Sequence, residues 1–181
     1  MNVVLLPQAG SRRRSVAYVI AWALTVVALV VAVGAAPALV ATTVICWSCF
    51  VVAAALVDMR TGRLLDILVL PGIVGVLALS LLAERLSGAV FGAFLLGLPM
   101  LAVHLARPEG LGFGDVKFGL LLGAGIGVVA VPLVLPAYLV AAVAHAVVCV
   151  VVRARGRLVP FGPALAGASI LTAVAGLLWR L

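Results

Sequence analysis

Long stretches without any charged side chain are the most constraining feature of this 181-residue sequence. Residues 15–57 contain no Asp, Glu, Lys or Arg, and residues 118–152 contain none either. A helix that crosses the ~30 Å apolar core of a bilayer needs ~20 mostly apolar residues. As helices rising ~1.5 Å per residue, the two stretches would extend ~65 Å and ~52 Å, so each is predicted to cross twice. The breaks are predicted near Gly34 and Pro37 and near Pro132 and Pro136.

The remaining apolar runs each predict one crossing. They are Ile67–Ala83, Leu86–Ala106 and the part of Leu158–Trp179 that follows Pro163. None of the runs alternates apolar and polar residues as the strands of a membrane barrel would. The sequence therefore predicts an all-α, polytopic integral membrane bundle of about seven transmembrane helices.

The composition excludes the main soluble classes. Hydrophobic residues make up 67% of the chain and charged residues only 9%, whereas a soluble domain has about 25% charged residues. A water-soluble globule of this size cannot bury so much apolar surface. A soluble enzyme, a disordered chain and a disulfide scaffold are therefore all excluded.

The positive charges lie almost entirely on one side of the predicted bundle. By the positive-inside rule that side faces the cytoplasm, with the N-terminus inside and the C-terminus outside. The first crossing could alternatively be a cleavable signal peptide, which would leave the orientation of the other helices unchanged. Only Arg85 and Arg180 fall on the opposite side. The other ten basic residues are Arg12, Arg13, Arg14, Arg60, Arg63, Arg107, Lys117, Arg153, Arg155 and Arg157.

Four of the five carboxylates lie in the two predicted cytoplasmic loops after the second and fourth crossings. Asp58 directly follows an apolar run, so it is predicted in the last turn of the second helix, where a negative charge opposes the helix dipole. Asp115 lies in residues 110–117, Gly-Leu-Gly-Phe-Gly-Asp-Val-Lys, just before the fifth crossing. The five carboxylates are Asp58, Asp66, Glu84, Glu109 and Asp115.

Both acids have an ordinary structural explanation and a functional one. Asp58 could pair with Arg60 or Arg63, and Asp115 could cap the N-terminus of its helix. However, ionisable groups at membrane depth are costly and commonly functional, and the glycines beside Asp115 allow close approach of another element. Two carboxylates at one membrane level could share a proton, one acting as base on a water and the other as acid, as in aspartic proteases.

Three segments on the predicted cytoplasmic side carry motifs in a fixed order. Residues 58–66 read Asp-Met-Arg-Thr-Gly-Arg-Leu-Leu-Asp, residues 112–117 read Gly-Phe-Gly-Asp-Val-Lys, and residues 159–163 read Val-Pro-Phe-Gly-Pro. They resemble the D-x-R-x-x-x-I-P-N/D, GxGDxK and I-P-F-G-P segments of the type IV prepilin peptidases, which are membrane-embedded aspartic proteases. One departure is Leu65, which stands where the family usually has proline.

The resemblance implies a peptidase-only short form of this family. Residues 38–181 would form its six-helix core, and residues 1–37 an N-terminal basic segment and first transmembrane helix. Asp58 and Asp115 would be the catalytic pair with bound water as nucleophile, so that neither a metal nor another cofactor is required. The supporting motif residues would be Gly112, Gly114, Lys117, Pro160, Phe161, Gly162 and Pro163.

The implied substrate is a prepilin or pseudopilin-like protein of a pilus or secretion machine. Cleavage would separate its short basic leader from its apolar helix at the cytoplasmic face of the bacterial inner membrane. The lipid bilayer would be the other partner, and no nucleic-acid motif is present. Many bifunctional family members carry a methyltransferase insert with two CxxC pairs. The loop between Ala55 and Asp66 is too short for such an insert, so we expect cleavage without methylation.

Several other polar residues have predicted structural roles. Lys117 could hold Asp115, hold a substrate carbonyl or serve as one of the cytoplasmic positive charges. Asp66 is predicted to cap the third crossing. Cys46 and Cys49 have the CxxC spacing of a zinc site, but they fall inside a predicted helix without a second pair, which favours packing.

A glycine repeat and two histidines are predicted to hold helices together. Gly119, Gly123 and Gly127 recur every four residues on the fifth crossing, a pattern typical of tight helix packing. We expect this stripe to bring the fifth crossing, with the acid at its head, close to the second. His104 and His145, near the inner ends of their helices, are expected to form interhelical hydrogen bonds.

Two competing functions fit part of the pattern. Two inward-facing carboxylates could relay protons or bind a cation in a small transporter or channel component. Transport carboxylates, however, usually sit near the middle of the membrane on broken helices of inverted repeats, whereas these acids lie at loop edges. The other competitor is a family member without activity that serves as an assembly subunit.

Overall fold

The computed structural model describes residues 37–153 and 161–179. Within these residues the chain forms six α-helices and no β-strand, which confirms the all-α class. The predicted first crossing and the basic segment before it, residues 1–37, lie outside the described residues apart from Pro37. The helices are α1 (Ala38–Thr61), α2 (Asp66–Leu82), α3 (Leu86–Ala106), α4 (Phe113–Val129), α5 (Val134–Arg153) and α6 (Gly162–Leu178).

Two of the predicted helix boundaries lie at prolines. Pro37 immediately precedes α1, and a single 3-10 turn, Val131–Leu133, separates α4 from α5 around Pro132. Proline lacks an N–H donor, so it fits at a helix start or in a turn. Other prolines lie within helices: Pro71 in α2, Pro99 in α3 and Pro136 in α5, the last of which was predicted to lie at the break.

The start of α4 differs from the prediction. The helix begins at Phe113, which places Asp115 inside its first turn instead of before the helix.

The outer surface of the bundle is apolar. Three helical segments, Ala38–Thr61, Leu86–Ala106 and Val131–Val150, are long and apolar enough to cross a membrane, and α2 and α6 are shorter apolar helices. Large apolar side chains point away from the bundle, a surface that would associate in water but suits lipid. The chain therefore forms a helical membrane bundle. Such outward side chains include Val74, Phe91, Leu105 and Leu139.

The fourth helix is the centre of the bundle. α4 contacts each of the other five helices, and most of its residues from Val116 onward are buried. Its glycine stripe packs tightly against α3: a Cβ added to Gly123 would overlap the carbonyl oxygen of Gly92, and one added to Gly127 would overlap that of Gly88. α4 does lie close to α1, as expected, but the glycine stripe is not the surface that brings the two helices together.

A different face of α4 receives α1. Gly125, two residues from Gly123, lies on another side of the helix because successive helical residues are rotated by about 100°. A Cβ at Gly125 would overlap the indole ring of Trp47, which is fully buried. The indole Nε1 also donates a 2.9 Å hydrogen bond to the carbonyl oxygen of Leu121. Trp47 and Gly125 thus set the distance between α1 and α4.

Candidate active site

Asp58 lies in the last turn of α1 and its side chain is buried, with 5% of the residue exposed. The helix ends directly after this turn because Gly62 adopts a left-handed conformation, with φ of 65°, and its N–H donates to the carbonyl oxygen of Asp58 over 2.8 Å. Glycine adopts this conformation without steric cost. The sequence-based position of Asp58 at the helix end is therefore correct.

The carboxylate of Asp58 is held by a distant part of the chain. The backbone N–H of Gly162, in the first turn of α6, donates a 3.1 Å hydrogen bond to Asp58 Oδ2. The N-terminus of a helix carries partial positive charge, which stabilises a carboxylate placed there. In the described part of the chain Asp58 forms no ion pair with Arg60 or Arg63, so the ordinary explanation of an interfacial ion pair is wrong.

This contact explains the glycine in the Phe-Gly-Pro motif at the start of α6. A Cβ added to Gly162 would lie 2.5 Å from Asp58 Oδ2 and 3.2 Å from its Cγ, so only glycine allows the approach. Pro163 occupies the first turn of α6, where a missing N–H removes no helical hydrogen bond. Phe161 precedes the helix, and Pro160 lies outside the described residues.

Asp115 is held by its own loop. The N–H of Gly112 donates to Asp115 Oδ2 over 3.2 Å, and the N–H of Asp115 donates to the carbonyl oxygen of Gly112 over 3.0 Å. Asp115 is thus part of the N-terminal cap of α4, as its structural explanation requires. The residue is only partly buried, which leaves the carboxyl group accessible for a second role.

The fold brings the two acids to the same end of the bundle. Gly114 lies against Leu64, in the loop that follows α1, and a Cβ added to Gly114 would be 3.3 Å from Leu64 Cβ. This contact joins the segment after Asp58 to the turn that carries Asp115. The two acids therefore lie on different helices at the same end of the bundle, joined through this contact.

Lys117 and Asp66 form a second link between the same segments. Lys117 Nζ lies 2.7 Å from Asp66 Oδ2 and 4.9 Å from the centre of the Phe113 ring. Lys117 thus holds Asp66, not Asp115, because it projects from a different side of α4 two residues later. The prediction that Asp66 caps its helix is wrong: Leu65 is the N-cap of α2, without a side-chain cap bond.

The two histidines contact partners other than those expected. His104 Nδ1 lies 2.7 Å from the carbonyl oxygen of Leu111, in the loop after its own helix. His145 Nε2 lies 3.2 Å from Cys149 Sγ on the same helix, and its ring packs edge-on against Phe161 at 4.6 Å. The expected interhelical hydrogen bonds are therefore wrong, although the contact with Phe161 does connect α5 to the start of α6.

The sequence identified Gly162 as a motif residue but not as a hydrogen-bond donor, and it did not identify Gly125. The role of Gly162 as a hydrogen-bond donor could have been suspected from the proline that follows it, because Gly-Pro indicates a helix start whose N–H groups are free. Gly125 carried no signal, since it falls outside the four-residue repeat. Cys46 and Cys49 are free thiols in α1, and the described residues contain no cluster of His, Cys, Asp or Glu able to hold a metal ion.

A bundle of apolar helices with two carboxylates at one end defines a membrane protein with a candidate acid–base site. The family model described as the type IV leader peptidase family matches residues 43–150, a segment that includes Asp58 and Asp115. The chain therefore belongs to the type IV leader peptidase family.

Two curated relatives from Burkholderia pseudomallei, of strains 1026b and K96243, are each named prepilin leader peptidase/N-methyltransferase. Each is 38% identical to this chain over 128 residues, which cover 64% of this chain and 40% of the relative. The matched region thus spans less than half the length of these relatives. No solved structure matches the chain.

Proposed function

We propose that this chain is an aspartic endopeptidase that removes the basic leader from prepilin-like proteins. The observation that carries the proposal is the pair of acids, Asp58 and Asp115, on two different helices at one end of the bundle, where the residue before Asp115 lies against Leu64 in the loop after Asp58. Membership of the leader peptidase family supports the substrate class. The acids lie at helix ends, which favours a peptidase over a transporter with carboxylates at the membrane midplane.

In the proposed reaction, Asp58 and Asp115 hold one proton between them. The ionised carboxylate takes a proton from a water molecule as its oxygen attacks the scissile carbonyl carbon, and the protonated carboxyl hydrogen-bonds to the carbonyl oxygen. Collapse of the tetrahedral intermediate breaks the C–N bond, and a proton passes to the leaving amine. The pair returns to its starting protonation, so water is consumed and no covalent enzyme intermediate forms.

The site is proposed to face the cytoplasm in a bacterial inner membrane. The basic side chains Arg60, Arg63, Arg107 and Lys117 belong to the same end of the bundle as the two acids, and the positive-inside rule favours this end as cytoplasmic. The C-terminus would then be extracytoplasmic. An alkaline phosphatase fused after Leu181 should be active, and a fluorescent protein that matures only in the cytoplasm should stay dark at the same position.

The decisive test removes one carboxylate at a time. Asp58→Asn and Asp115→Asn keep the shape of the side chain and remove its charge, and each is expected to lower leader cleavage at least about 100-fold. The double variant should be no less active than either single variant, because the two acids act as one unit. Cleavage is measured with purified full-length chain, a prepilin-like substrate with a basic leader, and single-turnover conditions.

Glu109→Gln is the matched control, since Glu109 is an exposed carboxylate at the same end of the bundle and is expected to be dispensable. Substantial cleavage by either Asp variant would remove the aspartic peptidase assignment. Wild-type protein that accumulates and never cleaves would favour an assembly subunit. Proton or cation flux into liposomes that requires both acids would favour a transporter.

We further propose that this chain cleaves its substrate without methylating the product. The loop between α1 and α2, residues 62–65, is far too small to bind a methyl donor. The mature substrate should therefore carry a free N-terminal amine in mass spectrometry after reaction with the purified chain and a methyl donor. A mass increase of one methyl group would contradict this.

A further inference from the structure

We propose that His104 is a positioning residue for Asp115 and acts through the peptide bond between Leu111 and Gly112. The inference rests on the proposed function, since it concerns how one member of the acid pair is held. His104 lies in the last turn of α3, outside all three sequence motifs. Its Nδ1 lies 2.7 Å from the carbonyl oxygen of Leu111.

The chemistry of the partner fixes which atom carries the proton. A backbone carbonyl oxygen only accepts hydrogen bonds, so His104 Nδ1 must be the donor. This holds for the neutral Nδ1–H form of the imidazole and for the imidazolium, because both carry a proton on Nδ1. The hydrogen bond to Leu111 therefore does not depend on the charge of the ring.

The Leu111 C=O, which accepts from His104, belongs to the same peptide unit as the Gly112 N–H, which donates to Asp115. The described chain contains no cis peptide bond, so the Leu111 C=O and the Gly112 N–H lie in one plane and point in opposite directions. The Gly112 N–H donates to Asp115 Oδ2 over 3.2 Å. His104, this peptide and Asp115 thus form a continuous chain of hydrogen bonds.

Such a chain orients and strengthens its last bond. A donor on the carbonyl oxygen fixes the rotation of the peptide plane, and hence the direction of the Gly112 N–H, and it also polarises the N–H. Gly112, whose φ changes when this peptide plane turns, would otherwise leave the peptide free to rotate. The His104 ring is itself held beside Phe113, with ring centres 5.5 Å apart. His104 therefore anchors a flexible loop at the peptide that positions Asp115.

Three variants separate the donor from the bulk of the ring. His104→Phe keeps a ring beside Phe113 and removes the donor. His104→Asn places an amide N–H near the position of Nδ1, whereas His104→Gln places it near that of Nε2. The measurements are kcat and KM for leader cleavage and the melting temperature of the purified full-length chain in detergent.

We expect the position of the donor to decide the rate. His104→Phe and His104→Gln should lower kcat about 3- to 10-fold, the effect of losing one neutral hydrogen bond, with KM and melting temperature close to wild type. His104→Asn should retain kcat within about twofold because it keeps the bond. Glu109→Gln, in the same loop, should match wild type.

A double-mutant cycle tests the route through the peptide. Gly112→Pro removes the N–H that Asp115 accepts, and the φ of −67° at Gly112 suits proline. If His104 acts through this N–H, His104→Phe should reduce kcat no further in the Gly112→Pro background. Additive losses would overturn the proposed route.

The inference fails if His104→Phe and His104→Gln have wild-type kcat, if His104→Asn is as slow as they are, or if only KM changes. Failure of the proposed function has a separate signature, namely cleavage by Asp115→Asn. If Asp115→Asn is inactive while His104→Phe and His104→Gln are fully active, the aspartic peptidase proposal is retained. Only the positioning role of His104 is then rejected.

Discussion

Each of the two acids of the site is held by one backbone hydrogen bond, but the chain forms the two bonds in different ways. Each lies at a helix end, and each accepts one backbone N–H on its Oδ2, over 3.1 Å at Asp58 and 3.2 Å at Asp115. The donor for Asp58 is Gly162, 104 residues later in the chain, whereas the donor for Asp115 is Gly112, three residues earlier. Asp58 is buried and Asp115 is partly exposed.

The carboxylate of Asp58 is fixed by tertiary packing, whereas that of Asp115 is fixed mainly by local structure. The hydrogen bond at Asp115 is formed within one helix turn, so it needs only the start of α4, the loop before it and the proposed contact of that loop with His104. The bond at Asp58 exists only when α6 packs with its first residue against α1. Changes at the Asp58 donor should therefore affect activity more than equivalent changes at the Asp115 donor.

Among changes outside the two acids themselves, the largest effect is expected from Gly162→Ala. The added Cβ would lie 2.5 Å from Asp58 Oδ2, so α6 or the carboxylate must move and the hydrogen bond must lengthen or break. Losing a charge-assisted hydrogen bond at a buried acid is expected to lower kcat about 10- to 100-fold.

Gly112→Ala is the matched change at the other acid. The φ of −67° at Gly112 suits alanine, and the added Cβ would lie 3.3 Å from Asp115 Oδ2, a distance that a small shift relieves. Cleavage should fall less than about threefold, because the bond to Asp115 is retained. Equal losses of kcat for the two glycine variants would show that the two acids do not differ as described.

A second prediction concerns the packing that carries Asp115. A Cβ at Gly123 would overlap the backbone of Gly92, so Gly123→Ala should push α4 away from α3 and lower the free energy of unfolding by about 1–3 kcal/mol. Gly167→Ala is the control, because nothing lies within 4 Å of its added Cβ. Alanine favours the helix there by up to about 1 kcal/mol.

Thermal unfolding in detergent measures both changes. The melting temperature should fall for Gly123→Ala and stay level or rise for Gly167→Ala. A Gly123→Ala protein with unchanged melting temperature would contradict the tight α3–α4 contact. Equal destabilisation by both variants would indicate that helix glycines matter here for a reason other than close approach.

A smaller effect is expected from the ion pair that links the two segments. Lys117 and Asp66 have 22% and 55% of their side chains exposed, and exposed ion pairs contribute about 0–1 kcal/mol. Asp66→Asn and Lys117→Met should each retain cleavage within about threefold at low salt, and the difference from wild type should shrink at high salt. A much larger loss in Asp66→Asn would give this acid a role in the reaction.

The smallest effect is expected at the position where this chain departs from its family. Leu65 is the N-cap of α2 with φ of −83° and ψ of 126°, close to what proline adopts. Leu65→Pro should therefore raise the free energy of unfolding by about 0.4–1 kcal/mol by stiffening the loop between α1 and α2. Thermal unfolding measures this change, and cleavage should be unchanged. Destabilisation would indicate that the loop needs the flexibility that leucine allows.

Most of the helices could be predicted from the sequence because uncharged runs and prolines carry the information locally. Leu86–Ala106 has the predicted bounds, and the break between α4 and α5 falls at Pro132, whereas Pro136, the other proline expected there, lies inside α5. The start of α4 was missed because the cap formed by Gly112 and Asp115 extends the helix back to Phe113. A glycine-rich segment gives no propensity signal for that extension.

The partners of individual side chains were much harder to predict. The glycine stripe on α4 was correctly identified as a close-packing face, but its partner is α3 and not α1. Lys117 and His104 were recognised as polar groups at the end of the bundle that carries the two acids. Their partners, Asp66 and Leu111, could not be deduced. Spacing along a helix fixes which residues share a face, while the neighbour of that face depends on how all the helices pack.

The sequence by itself determined that this chain is a bundle of apolar helices with two acids at helix ends in the segments that resemble a peptidase. Apolar length, proline positions and the glycine-rich turn are local properties, so they act before any helix meets another. Only the tertiary structure decided that Asp58 is held by Gly162 and that Leu64 contacts Gly114. Those contacts join segments far apart in the chain, and they arise from backbone approaches that depend on the packing of several helices at once.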